Sequence, residues 1–133
     1  MTTVGQVIEQ VRTPVLTAAA ALSLPVVVDN SPVTDFGATW LRVITAVEGA
    51  TMVMNADRAR YTGSMQVSIY SPRDTGDAVM LALADQVATL YRGWRIASPI
   101  YLRTTAVSLI GASEYGDGWS GRTVEVRWEA EIL

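Results

Sequence analysis

Three aspartates between residues 74 and 85 are the side chains whose type and spacing best suit metal binding. Asp74, Asp77 and Asp85 could supply oxygen ligands to Mg²⁺, because carboxylates are the hard donors that this ion prefers. A small metal-dependent hydrolase is the function that such a site would indicate. Asp85, however, lies about two helical turns beyond Asp77, and Asp77 is also suited to cap a helix. We therefore favour capping over metal binding here.

A row of glutamates near the end of the chain offers a second possible chemistry. Glu125, Glu129 and Glu131 lie close to Arg127 in sequence, and paired carboxylates catalyse glycoside hydrolysis. These residues alternate with apolar ones, so they occupy one face of a strand, where cross-strand ion pairs form readily. We predict a solvated strand face with ion pairs instead of a catalytic pair.

Two further features suggest ligand binding, and neither is well supported. The glycines of segments 111–113 and 116–118 lie between two predicted strands, whereas a phosphate loop precedes a helix. The four tryptophans could stack on a ligand, but no cluster of basic residues accompanies them. We expect them to be core or interface anchors: Trp40, Trp94, Trp119 and Trp128.

Composition excludes most other chemistry. The 133-residue chain has no histidine and no cysteine, which removes imidazole and thiolate ligands, histidine-dependent triads and disulfides. A net charge of -3 with scattered basic residues disfavours nucleic-acid binding. No apolar run approaches the ~18 residues that span a bilayer, and the first residues lack a secretion signal. We predict a non-enzymatic protein without cofactor or metal, which acts in the compartment where it is made.

The apolar content suggests either a large core or contact with other subunits. Hydrophobic residues make up 50% of the chain and charged residues 17%. Surplus apolar surface in a chain of this kind either fills the interior or is covered by partners. Composition does not decide between these two alternatives.

The first third of the chain predicts a helix followed by two strands. An apolar stripe marks one helical face, and it consists of Val4, Val7, Ile8 and Val11. Thr2 or Thr3 can cap this helix. Pro14 either kinks it or begins a second helix, because proline lacks the N–H that an interior helical position donates. Residues 26–28 form a short β-branched strand, and residues 40–47 form a second strand that is apolar on both faces.

The central part of the chain predicts one strand that leads into one helix. Within residues 61–70, Met65, Val67 and Ile69 alternate with polar residues, as in a strand with one buried face. Residues 78–90 repeat apolar side chains at helical spacing, and Gly93 is placed as a C-terminal cap. The preceding residues 51–60 are either a solvated hairpin tip or an ordered contact with a partner, since Met and Arg are enriched at interfaces.

The last third of the chain predicts a hairpin. Residues 100–110 are rich in β-branched and aromatic side chains, and residues 122–132 alternate strictly between apolar and charged ones. A glycine-rich connection, residues 111–121, joins them. The element order predicts one α+β domain spanning residues 1–133. Its antiparallel or mixed sheet would have about four to five strands with two helices packed on one face.

Three passages resemble the tail terminator proteins of long-tailed phages and of prophages, which cap the tail tube. Residues 24–30 are similar to the family's short first strand, which ends in an acidic residue and asparagine. Residues 40–43 are similar to its second strand. Residues 61–70, followed by Gly76 and residues 84–87, are similar to its glycine-led strand and glycine-started helix.

The resemblance implies a structural virion protein that forms a hexameric ring of identical subunits. That ring would cap the tail tube, stop its polymerisation and join the tail to the head connector. The implied partners are other copies of the chain, the major tail-tube protein and the head–tail connector protein. The protein would be assembled in the host cytoplasm and would lie at the head-proximal end of the virion tail. The alternative within virion assembly is a head-completion or connector adaptor protein, or a minor tail protein.

Five residues around the predicted turn at 51–60 are the candidate interface with a subunit or partner. Arg58 and Arg60 are favoured because they stand just before Gly63, where the resemblance is strongest. The full predicted set is Met52, Met54, Arg58, Arg60 and Tyr61.

Overall fold

The protein is an α+β chain with two helices and six strands among its described residues. The computed structural model describes residues 3–28, 39–53, 58–72, 78–97, 101–114 and 119–132. The elements are α1 (Val4–Ala21), β1 (Val26–Val28), β2 (Trp40–Val53), β3 (Arg58–Pro72), α2 (Ala78–Tyr91), β4 (Arg95–Ile96), β5 (Tyr101–Glu114) and β6 (Trp119–Ile132). The predicted fold class is confirmed at this level.

The described strands form one mixed sheet in the order β1-β2-β3-β6-β5-β4. β1 runs parallel to β2, and the other neighbouring pairs are antiparallel. The predicted four to five strands were therefore too few, because β4 was missed. β4 pairs with β5 over Arg95 and Ile96 alone, and two residues are too short a run to show alternation.

The two hairpins are longer than the sequence pattern predicts. β2 and β3 remain paired as far as Val53 and Arg58, so most of residues 51–60 is strand. The predicted loop 111–121 is also wrong in its extent, because Glu114 still pairs with Ser120. Ladder hydrogen bonds from the partner strand stabilise these extensions, although glycine disfavours a strand interior.

Helix α1 runs without interruption through Pro14. Thr3 caps its start: the Gln6 N–H donates to Thr3 Oγ1 at 3.2 Å, and the Thr3 N–H donates to Gln6 Oε1 at 2.8 Å. This reciprocal pair is a capping box. Of the two alternatives at Pro14, a second helix is therefore excluded and one helix with proline in its interior is observed.

Both helices end at a residue with positive φ. Gly93 follows α2 with φ 68°, as its predicted role as C-terminal cap requires. Ser23 follows α1 with φ 56°. At that end the Leu24 N–H donates to the Ala19 carbonyl at 2.9 Å, and the Ser23 N–H donates to the Ala20 carbonyl at 3.1 Å. These are the two hydrogen bonds of a Schellman motif, with serine where glycine is usual.

Both helices pack on the same face of the sheet and form one core with it. The buried residues of the helices contact the alternate residues of β2, β3 and β6 that point towards them. The predicted alternation in β6 is confirmed, since Val124, Val126, Trp128 and Ala130 are all buried on this face. None of the described helices is long and apolar enough to cross a membrane.

Gly63 is a position in β3 where the neighbouring strands leave no room for a side chain. It pairs with Val47 on β2 and with Trp128 on β6. A Cβ atom at Gly63 would lie 2.2 Å from the Ala46 carbonyl oxygen and 2.4 Å from Cζ2 of Trp128. The absence of a side chain at this position is what allows the Trp128 indole to lie against the β3 backbone.

Candidate interaction surfaces

The sheet face that points away from the helices, called the open face here, carries charged pairs along β3, β5 and β6. Arg60 and Glu131 face each other across β3 and β6, with Nη2 and Oε1 2.6 Å apart. Arg103 and Glu129 form the equivalent pair across β5 and β6 at 2.5 Å. The predicted solvated face with cross-strand ion pairs is confirmed. These glutamates have a structural explanation that requires no catalysis.

Glu48 of β2 contacts polar side chains of β3 and β6 on the same open face. Its Oε1 accepts a hydrogen bond from Ser64 Oγ at 2.8 Å, and its Oε2 is 3.0 Å from Arg127 Nη1. Arg127 also contacts Glu125 through Nε at 3.1 Å. The network therefore crosses three adjacent strands, and each described acidic group in it has a cationic or hydroxyl partner. Such a surface is polar but has little unbalanced charge.

An aromatic cluster occupies the other end of the open face. The rings of Trp40 and Tyr70 are 4.7 Å apart, and Trp119 meets Trp40 edge to face at 6.2 Å. Val27 of β1 completes this second, smaller core. The prediction that the tryptophans are anchors is confirmed for Trp40 and Trp128, which are both buried.

The five residues predicted as an interface lie in or beside the β2–β3 hairpin, but they do not share one face. Met52 pairs with Ala59, and Arg58 pairs with Val53, at the hairpin end. Met54 lies outside the described residues. Arg60 is exposed on the open face, whereas Tyr61 lies on the opposite face and packs against the core. The interface therefore stays a prediction, with Arg60 as its exposed described member.

The Arg60 guanidinium is held in place electrostatically. Its hydrogen bond to Glu131 and the charge of that carboxylate raise the pKa of Arg60 above its ordinary value. The pair is exposed to solvent, so it contributes little to folding stability.

The aspartates considered for Mg²⁺ are not brought together in the part of the chain that the structure describes. Asp85 is an exposed residue of α2, while Asp74 and Asp77 lie outside the described residues. Among the described side chains, no group of three or more acidic residues is arranged to hold a metal ion. The capping role predicted for Asp77 likewise lies outside the described residues.

An apolar groove lies between α2 and β5, and the sequence pattern did not identify it. It measures about 210 Å³, and its apolar lining includes Leu81, Ala88, Val107 and Leu109. Leu81 is 44% exposed and Leu109 is 58% exposed. Asp85 and Arg92 add one charge of each sign. Leu109 lies on the helix-facing side of the sheet, opposite Val124, so alternation alone would have placed it in the core.

A second set of exposed apolar residues lies on β2. Ile44 is 40% exposed on the open face, and Val47 is 38% exposed on the helix-facing side. The sequence signal for them was the run of residues 40–47, which is apolar at positions of both faces. A strand that is apolar on both faces is typical of one whose second face is partly covered or lies at a subunit boundary. The exposure of Ile44 and Val47 shows that both faces of β2 are partly uncovered at these residues.

Comparison with known proteins adds the fold and no function. No protein-family model matches the chain. No curated protein matches it either. Among solved structures, one protein whose name states no function is similar over 100% of this chain and 99% of its own. The TM-score is 0.77 and the sequence identity is 16%. Similarity at this identity supports a shared α+β architecture and says nothing about shared activity.

Proposed function

We propose that the chain is a phage tail terminator, a structural virion protein that forms a ring on the tail tube. The ring stops polymerisation of the tube and joins the tail to the head connector. It acts by contact and not by catalysis. Its partners are other copies of the chain, the major tail-tube protein and the connector protein. The protein is assembled in the host cytoplasm and lies at the head-proximal end of the tail.

The three passages that resemble terminators support the proposal because they coincide with structural elements. Residues 24–30 contain β1, residues 40–43 begin β2, and residues 61–70 are the central part of β3. Gly63, which leads the third passage, has a packing reason to be glycine, since Trp128 and the Ala46 carbonyl occupy the space of a Cβ. The resemblance therefore rests on residues that shape the sheet.

The observation that carries the proposal is the presence of two different exposed apolar surfaces on one chain. One is the α2–β5 groove with Leu81 and Leu109, and the other is the edge of β2, where Ile44 and Val47 are exposed on opposite faces of the sheet. β3 and β6 separate these surfaces in the sheet. A ring with cyclic symmetry needs two unlike patches on each subunit, because every subunit contacts its two neighbours through different surfaces.

The charge of the chain also suits a ring that encloses DNA. The net charge is -3, and the described arginines of the open-face network are paired with glutamates. Proteins bind DNA phosphates through lysine and arginine side chains, which displace the counterions condensed on the DNA. A surface whose cations already have partners lets DNA pass without retaining it.

Electron microscopy of tails assembled with and without this protein tests the proposal. Tubes assembled with the protein should have one defined length, and tubes assembled without it should vary in length and exceed that value. Equal length distributions in both preparations would overturn the proposal. Tubes of normal length that fail to join heads would instead assign the chain to head completion or to the connector.

A further inference from the structure

Two long strand edges of the sheet are not covered by the described part of the chain. β1 pairs with β2 at Leu41, Arg42 and Val43, and β4 pairs with β5 at Leu102 and Arg103. Beyond these short strands, residues 44–53 of β2 and 105–114 of β5 have no outer strand among the described residues. The N–H and C=O groups on such an edge form a template for another strand.

Neither edge carries the lysine or proline residues with which many monomeric proteins block strand addition. Residues 44–53 and 105–114 contain no lysine, arginine or proline, and each contains a single glutamate. Glu48, the glutamate of the β2 edge, is engaged by Ser64 and Arg127 on the open face. Bulges interrupt both edges, but they leave the regular run Ala106–Ile110 in β5 and the run Ile44–Val47 in β2.

The two edges match each other in their side chains. On the open face, Ile44 of the β2 edge is 40% exposed and Ile110 of the β5 edge is 41% exposed. On the helix-facing side, Val47 and Leu109 are the exposed apolar residues of the same two edges. A strand added to β5 would also extend over the apolar α2–β5 groove, which would receive its alternate side chains.

The two edges also match in direction and length. The pairs β2–β3, β3–β6 and β6–β5 are all antiparallel, so β2 and β5 run in opposite directions. Copies related by rotation about an axis roughly parallel to the strands would therefore place β2 of one copy antiparallel to β5 of the next. The free segments 44–53 and 105–114 are equally long. β1 and β4 would then lie just beyond the two ends of the paired segment.

We propose that residues 105–114 of β5 pair antiparallel with residues 44–53 of β2 in a second copy of this chain. This inference rests on the proposed ring, and it assigns the strands through which the ring closes. Each contact is heterologous, so it uses one edge from each subunit and leaves the other edge for the next neighbour. The sheets of neighbouring subunits are then joined through residues 44–53 and 105–114.

Disulfide cross-linking tests this pairing directly, because the chain has no cysteine of its own. One variant carries Ala46→Cys on the β2 edge, and the other carries Ile110→Cys on the β5 edge. These two open-face positions come opposite each other when the segments pair along their length and the β5 bulge at residue 111 is passed over. We expect oxidation to give covalent dimers when a β2 variant is mixed with a β5 variant, and none when either variant is alone. Homodimers of a single variant would show two-fold edge pairing and would overturn the proposal.

Lysine substitution at the edge gives the second test. Leu109→Lys and Ile110→Lys should abolish oligomers in sedimentation velocity, since each lysine would place a charge against the apolar side chains of the neighbouring β2 edge. Val79→Lys on α2 is the matched control, because Val79 is 49% exposed and lies outside both edges. The control should retain wild-type oligomers. Thermal unfolding of the monomer should be similar in all three variants.

The outcomes separate this inference from the proposed function when both tests are run in solution and on isolated tails. Oligomers that persist in the edge variants and give no β2–β5 cross-link would overturn the edge pairing and leave the ring intact. A chain that remains monomeric in solution and on tails would overturn both. Cross-links in the mixtures together with lost oligomers in the edge variants would support both.

Discussion

The Tyr91 hydroxyl donates a hydrogen bond to the Val11 carbonyl oxygen at 2.5 Å, and it accepts one from the Val15 N–H at 3.3 Å. Val11 and Val15 are four residues apart in α1, so these are the groups that pair with each other in an ordinary α-helix. Pro14, which lacks an N–H and crowds the preceding turn, lies immediately before Val15. A side chain of α2 thus joins the two helices at the proline position.

Replacement of Tyr91 by phenylalanine should destabilise the protein through this contact. Tyr91 is fully buried, as are Val11 and Val15, so both backbone groups would lose a partner away from water. The expected cost is about 1–3 kcal/mol in the free energy of unfolding. When Pro14 is also replaced by alanine, the helix can restore the direct hydrogen bond from the Val15 N–H to the Val11 carbonyl. In that variant Tyr91→Phe should lower the free energy of unfolding by less. Urea unfolding of the four proteins measures this coupling, and additive effects would contradict it.

The stability of the protein should fall in alkaline solution because of the same residue. Burial raises the pKa of the Tyr91 hydroxyl above its ordinary value of 10.0, and the hydrogen bond from Val15 opposes this only in part. Below pH 10 both the folded and the unfolded state hold the proton. Above it the unfolded state releases the proton first, so stability decreases by about 1.4 kcal/mol per pH unit from this group. Tyr91→Phe removes this contribution, so the stability difference between wild type and variant should narrow above pH 10. A constant difference would be inconsistent with a buried, protonated hydroxyl.

A methyl group at Gly63 should be poorly tolerated. The Cβ of alanine would lie 2.2 Å from the backbone oxygen of Ala46 as well as 2.4 Å from Trp128. Gly63→Ala should therefore destabilise the fold by about 1–3 kcal/mol or more, since overpacking forces backbone shifts. Trp128→Phe in the same chain should not recover the loss, because the clash with Ala46 remains.

Gly5→Ala provides the matched control for that substitution. Gly5 lies inside α1, and a Cβ there would meet Thr3 Oγ1 at 3.7 Å, an ordinary contact distance. The expected effect is a gain of about 0.5–1 kcal/mol, because alanine loses less backbone entropy than glycine in a helix. Thermal unfolding compares the two. If Gly63→Ala changed the stability of the protein no more than Gly5→Ala does, Gly63 would not be sterically constrained.

The end of α1 offers a stabilising substitution. Ser23 has φ 56° in a Schellman motif, and a side chain in this left-handed conformation is strained. Ser23→Gly should stabilise the protein by about 1 kcal/mol, because the backbone strain that it relieves is larger than the entropy that glycine adds to the unfolded chain.

Gly93→Ala at the end of α2 is the converse substitution. No atom lies within 4 Å of the position of its Cβ, so only the backbone angle φ of 68° opposes a side chain. It should destabilise by a similar amount, and chemical denaturation of both variants tests the pair.

Local patterns in the sequence were sufficient for most of the secondary structure. The capping signal at Thr3, the alternation in residues 122–132 and the glycine at position 93 each depend on neighbouring residues, and each was confirmed. β4 was missed because its two residues are strand only through pairing with Leu102 and Arg103. Predicted loops that turned out to be strand, such as Gly111 to Glu114, also depend on a distant partner for their hydrogen bonds.

The exposed surfaces were harder to predict, because exposure depends on which elements fail to cover a residue. Leu109 alternates as a core residue would, and it is 58% exposed since the groove between α2 and β5 leaves it uncovered. Tyr61 was predicted at an interface together with Arg60, but adjacent residues of a strand point to opposite faces. The bridging role of Tyr91 was likewise invisible, because it joins residues separated by most of the chain.

The arginines of the β2–β3 hairpin are the part of the predicted interface that can be tested without disturbing the core. Arg60 is exposed and its ion pair with Glu131 contributes little to stability, so Arg60→Ala should unfold at nearly the wild-type temperature. Combined with Arg58→Ala it should still reduce tail assembly, because two cations would be missing from the contact with a neighbour. Glu131→Gln is the control, since it breaks the same ion pair and leaves both arginines available. Tail number and length in electron micrographs measure the effect. Normal tails from the double variant would mean that these arginines belong to a solvated hairpin and not to an interface.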